Sequence, residues 1–102
     1  MKSAAQKSYA GRAATVASDS TGVCFPSYRL LDRFVKASGP PERLEIMKEA
    51  STRPGFVVLG IRNPLAVSKV EDGYAEVQWR GVGVASRNTG RCWISADELE
   101  VR

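Results

Sequence analysis

The chain contains no histidine. That absence removes serine–histidine–aspartate and cysteine–histidine catalysis, imidazole general bases and every histidine-containing metal site. Cysteine is scarce: Cys24 and Cys92 are too few for a four-thiolate zinc site. Long apolar runs are missing as well. The longest, "FVVLG" at residues 56–60, falls far short of the roughly 18 residues a membrane span needs. Residues 1–20 lack the apolar stretch of a secretory signal. Two cysteines without such a signal read as buried thiols of a cytoplasmic protein, with a structural disulfide as the alternative. No metal, no cofactor and no membrane partner are expected.

Acidic residues are absent where basic ones gather. "WRGVGVASRNTGRCW", residues 79–93, holds Arg80, Arg87 and Arg91 between two tryptophans, and residues 77–96 contain no Asp or Glu. The net charge of +4 lies in residues 1–40, because residues 41–102 balance nine basic against nine acidic side chains. A weakly basic chain admits an anionic partner without requiring one. Residues 1–20, rich in Ala, Ser and basic groups, have the composition of a loose leader or of an organellar transit peptide.

What is present suits one α+β domain of 102 residues, long enough for a core that buries about two-thirds of its unfolded surface. Residues 3–18 carry many alanines and are read as helix, weakened by Gly11 and Thr15–Val16. "STGVCFPS" is a connector. Residues 27–52 form a helical hairpin. Ser27 caps "YRLLDRFVKAS", whose Leu30, Leu31, Phe34 and Val35 line one face, and Pro41 with Glu42 opens "ERLEIMKEAS", which offers Leu44 and Met47, with Ile46 and Ala50, to the core. Residues 55–102 read as antiparallel β structure. "GFVVLGIR" is one strand. "LAVSKVEDGYAEVQW" is a hairpin about Asp72–Gly73 that sets Glu71 opposite Tyr74, Lys69 opposite Glu76 as a charge pair, and Ser68 opposite Val77. "GVGVAS", the turn "RNTG" and "RCWIS" form a second hairpin. "ADELEVR" is a short turn and a last strand.

The segments "VEDGYAEVQW" and "GRCWISADELEV", five short strands with a tight bend before the last, resemble a small SH3-like barrel of the Tudor or KOW kind over residues 55–102. A plain antiparallel sheet with two helices packed on one face is the alternative architecture.

Local chemistry excludes more than it offers. "GVGVAS" approaches a dinucleotide fingerprint, but Ser86 replaces the third glycine and no helix follows. The helical pair invites a helix-turn-helix reading, yet its second helix is net negative, unsuited to a major groove. Glu42, Glu45 and Glu49 form a solvated stripe. The remaining candidate site is an arginine–aromatic surface of Tyr74, Arg80, Arg87, Arg91 and Trp93. With Cys92 and Ile94 inward, alternation turns Trp93 outward beside Arg91; in the opposing reading Trp79 and Trp93 are both core. The expected function is a non-enzymatic binding or adaptor module for nucleic acid or a protein segment. Two other readings stay open. One is an oligomeric small-molecule-binding protein or enzyme with its pocket at a symmetry axis; "DGYAEV" and "ADELEV" resemble the plasmid-borne dihydrofolate reductases in outline but not in active-site residues. The other is an interface-filling accessory or mobile-element protein.

Overall fold

A computed structural model describes residues 9–101. The described residues form an α+β fold of two helices and a five-stranded antiparallel sheet, with the sheet open at both edges and not closed into a barrel. In chain order the sheet strands are β1 (Ala13–Val16), β4 (Leu65–Glu71), β5 (Tyr74–Arg80), β6 (Thr89–Ser95) and β7 (Leu99–Val101). Their spatial order is β6-β5-β4-β1-β7. Between β1 and β4 the chain forms β2 (Val23–Cys24), helix α1 (Tyr28–Val35), helix α2 (Pro40–Ser51) and β3 (Val57–Val58), with β2 and β3 pairing as a separate ribbon. No described helix is long and apolar enough to cross a membrane.

The helix over residues 3–18 is not formed where the structure describes it, and residues 3–8 lie outside the described segment. Gly11 takes φ +80, the left-handed region that ends a helix, and Thr15–Val16 favour extended backbone. Ala14 and Val16 point inward while β1 pairs with β4 on one side and β7 on the other. Tertiary pairing outweighs the alanine content.

The Asp72–Gly73 turn forms with both residues at positive φ, 53° and 82°, as a two-residue hairpin requires. Glu71 faces Tyr74 and Lys69 faces Glu76, but Val77 is opposite Val67 and not Ser68. A bulge between Val67 and Lys69 carries Ser68. Without it Ser68 would turn into the core and Val67 to solvent, so the extra residue keeps Leu65, Val67 and Val70 on one face. Lys69 Nζ pairs with Glu71 at 3.4 Å, along its own strand, in place of the expected Glu76.

Three further expectations are corrected. Of "GFVVLGIR" only Val57–Val58 is strand. "GVGVAS" is not a strand: β5 runs to Arg80, β6 starts at Thr89, and the loop between them holds a 3-10 turn at Gly83–Ala85. Cys24 and Cys92 are joined as a disulfide, so the cytoplasmic placement built on reduced thiols loses its basis; such bonds persist where thiols are oxidised.

The sheet has a core on each face. On one, Ala14, Val16, Leu65, Val67, Ala75, Val77, Cys92, Ile94 and Leu99 meet Cys24 and Leu59 of the ribbon segments. On the other, Tyr74 and Trp93 pack beneath Phe25, Leu30, Leu31, Ile46 and Ala50. Ser27 caps α1 by accepting from the Leu30 N–H, and α2 starts on Pro40–Pro41. Of the residues expected to serve the core, Leu44 and Val35 remain exposed. Phe25 makes a two-bond bridge to Trp93 on the edge of β6 (2.7 Å each). One residue earlier, Cys24 bonds to Cys92 with Cα atoms 5.6 Å apart.

Candidate functional site

The register decides which candidate residues meet. β5 and β6 pair Glu76 with Trp93, Gln78 with Arg91 and Arg80 with Thr89, while β4 sets Ala66 beside Gln78. Directly opposite residues in an antiparallel pair share a face. Tyr74, Glu76, Gln78, Arg80, Arg91 and Trp93 therefore lie on one side of the sheet, the side that carries the helices.

The helices cover only part of that side. Tyr74 and Trp93 are each 8% exposed, so the outward aromatic surface expected from alternation is corrected. Trp93 does point away from Cys92 and Ile94, but the side it enters is roofed. Tyr28 of α1 meets the Tyr74 ring at 5.2 Å and the Trp93 ring edge-on at 5.3 Å. Lys69 Nζ lies 5.5 Å from the Trp93 centroid, a cation–π contact. Neither aromatic offers a free face of the kind that stacks a nucleobase.

Two tyrosine–carboxylate bonds hold this roof. The Tyr74 hydroxyl donates to Asp32 Oδ1 at 2.8 Å, and the Tyr28 hydroxyl donates to Asp72 in the hairpin turn. Asp32 also pairs with Lys36. The bond to Asp72 is the main cause that pushes the Tyr28 phenol up to about 12. Burial, then the bond to Asp32, pushes Tyr74 up to about 12. The Tyr74 bond, then Lys36, holds Asp32 below its ordinary value. Both phenols therefore stay protonated near neutral pH and serve as donors, not as bases.

Beyond the roof the same side is open. A groove of about 530 Å³ lies there, lined by Pro64, Leu65, Ala66, Gln78, Trp79, Arg80, Thr89, Gly90 and Arg91. Gly90 is required at its floor: a Cβ there would stand 2.7 Å from Trp79 Nε1. The Trp79 indole lies over Gly90 and packs against the first core, and its Nε1 is buried without a hydrogen-bond partner among the described residues. Arg80 and Arg91 are exposed on the groove walls, and Arg87 is exposed on the loop outside it. Among the described residues the side chains of Arg80, Arg87 and Arg91 make no ion pair or hydrogen bond. Elsewhere Arg33, Lys36, Lys48, Arg53 and Lys69 pair with carboxylates, while among the described residues Arg29 and Arg62 do not.

The five candidate residues thus divide into a covered aromatic pair, a groove pair of arginines and Arg87 apart from both. Sequence reasoning missed Gln78 and Thr89, which the hairpin register would have placed beside the arginines had β6 been started at Thr89. It also missed Tyr28, whose signal was its position in the first turn of a helix that must cover something. Among the described residues no cluster of three or more His, Cys, Asp or Glu is arranged to hold a metal ion. No protein-family model, curated protein or solved structure matches this chain.

Proposed function

We propose that the protein is a non-enzymatic binding module that holds an extended acidic protein segment in the groove between Arg80 and Arg91. The observation that carries this reading is a concave site whose two cations have no internal counter-charge. Guanidinium groups suit carboxylates because they present paired donors in a planar fork. Gln78 and Thr89 add neutral donors and acceptors between them. A protein segment is favoured over nucleic acid because Tyr74 and Trp93, the rings that would have stacked bases, are spent on the helices. The architecture is proposed as an opened relative of the SH3-like barrels, on the strength of five short strands and the single 3-10 turn, Ala96–Glu98, before the last.

The test is fluorescence anisotropy of a labelled peptide of alternating Glu and small residues, with oligothymidylate as the comparison ligand. Arg80→Ala and Arg91→Ala should each weaken peptide binding by roughly tenfold or more, the range of a lost charge-assisted hydrogen bond. Peptide affinity unchanged in both variants would discard the groove as the site. Oligothymidylate bound more tightly than the peptide, with a steep salt dependence lost in the same variants, would move the partner to nucleic acid.

A further inference from the structure

The end of the sheet beside the groove carries a second unexplained feature. Two turns project there side by side: Gly60–Asn63, and the Gly81–Asn88 loop between β5 and β6. Asn63 Nδ2 donates to the Arg80 carbonyl at 2.9 Å, the Arg80 N–H donates to the Pro64 carbonyl at 3.1 Å, and the Gly81 N–H donates to the Asn88 carbonyl at 2.8 Å. Their tips are apolar. Ile61 is 55% exposed, Val82 44% and Val84 108%. Beside the tips stand Arg62 and Arg87, and among the described residues the side chain of neither makes an ion pair or hydrogen bond. Residues 60–64 and 80–89, which build this end, contain no acidic residue.

We infer that this end docks on an anionic lipid surface, with Val82, Val84 and Ile61 entering the headgroup–acyl boundary and Arg62 and Arg87 meeting the lipid phosphates. Val84 is fully exposed and Ile61 and Val82 partly so, so their occupant must be able to receive a protruding valine. A bilayer boundary does this without a preformed pocket, and basic residues beside an apolar tip are what an anionic interface attracts. Surface contact needs no spanning helix, so the missing apolar run does not bear on it. The residues are distinct from Arg80 and Arg91 of the groove, and either proposal can fail alone.

The experiment is co-sedimentation with phosphatidylcholine vesicles, alone and with about a third phosphatidylserine. The protein should partition to the serine-containing vesicles and not to phosphatidylcholine alone. Arg62→Glu with Arg87→Glu should lower partitioning by about 25-fold or more, on the basis of about fivefold for each basic residue near the surface. Val84→Asp should lower it about tenfold or more, whereas Arg80→Ala with Arg91→Ala should leave most of it. In V84W the added indole should be quenched by brominated lipid, a readout that requires insertion and not mere attraction. Equal sedimentation with both vesicle types, no sedimentation with either, or binding indifferent to Val84→Asp with an unquenched V84W indole would each overturn the inference. Loss of vesicle binding on addition of oligothymidylate, with the V84W indole unquenched, would reassign the charges to soluble polyanions.

Discussion

Breaking the Cys24–Cys92 bond is a perturbation whose effect follows directly from the length of the loop it closes. The bond closes a loop with a sequence separation of 68, and that loop contains both helices, β3 and the β4–β5 hairpin. In the chain-entropy account, closing such a loop restricts the unfolded state by about 4 kcal/mol at 25 °C. Whole-domain stabilities are about 5–15 kcal/mol, so the double variant C24A/C92A should lose a large share of its stability. For a domain of this size the melting temperature should fall by roughly 15–30 °C. Cys24→Ala alone should fall nearly as far, because the loss belongs to the bond and not to either sulfur. Both positions are almost fully buried, so each truncation adds a small cavity cost, read from the difference between the double variant and each single one. The assay is urea and thermal unfolding followed by circular dichroism, with intact mass under non-reducing conditions reporting the bond itself. The denaturant slope should rise in the variants, since an uncrosslinked chain exposes more surface on unfolding. A double variant that melts within about 5 °C of the parent would refute the reasoning: the topology would then be held by packing and the Phe25–Trp93 bridge, with the crosslink contributing little.

Other outcomes follow from the roof over the sheet and from the strand register. Trp93→Ala should cost about 3–5 kcal/mol, the range for emptying a buried aromatic site, and circular dichroism unfolding will show whether it does. A raised phenol favours the protonated folded state, so the contribution of Tyr28 and Tyr74 is complete below pH 10.0 and is lost as the pH rises toward about 12. Tyr28→Phe or Tyr74→Phe should remove one late-ionising phenol each from a spectrophotometric titration, and should flatten the alkaline fall in melting temperature. Asp32 has the opposite sign: its contribution is present above its ordinary 3.8 and disappears as the pH falls through its lowered value, a loss that Asp32→Asn should abolish. Ser68→Asp should stay within about 0.5 kcal/mol of the parent while Val67→Asp unfolds the chain; the bulge-free register requires the reverse, so urea midpoints of the two variants discriminate.

Features set by neighbouring residues were legible in the sequence. The Asp72–Gly73 turn, the Ser27 cap, the Pro40–Pro41 start of α2 and the bend before β7 each depend on a few adjacent side chains. Features set by distant partners were not. β1 is alanine-rich and became a strand only because β4 and β7 flank it. The disulfide depends on the Phe25–Trp93 bridge, which brings segments 68 positions apart into contact. Trp93 shows the distinction most sharply. Alternation correctly turned it to the face opposite Cys92 and Ile94, because the side-chain period of a strand is local. Whether that face meets water depends on Tyr28 and the helix that presents it, which no property of the β6 segment encodes. The arginines were safer to place for a reason of energy: an unpaired guanidinium costs several kcal/mol to bury, so in a stretch without acids Arg80, Arg87 and Arg91 had to remain at the surface. An aromatic ring gains from burial wherever a cover is offered. The cationic half of an arginine–aromatic candidate can therefore be located from sequence before the fold is known, while its aromatic half is decided by whatever segment arrives to cover it.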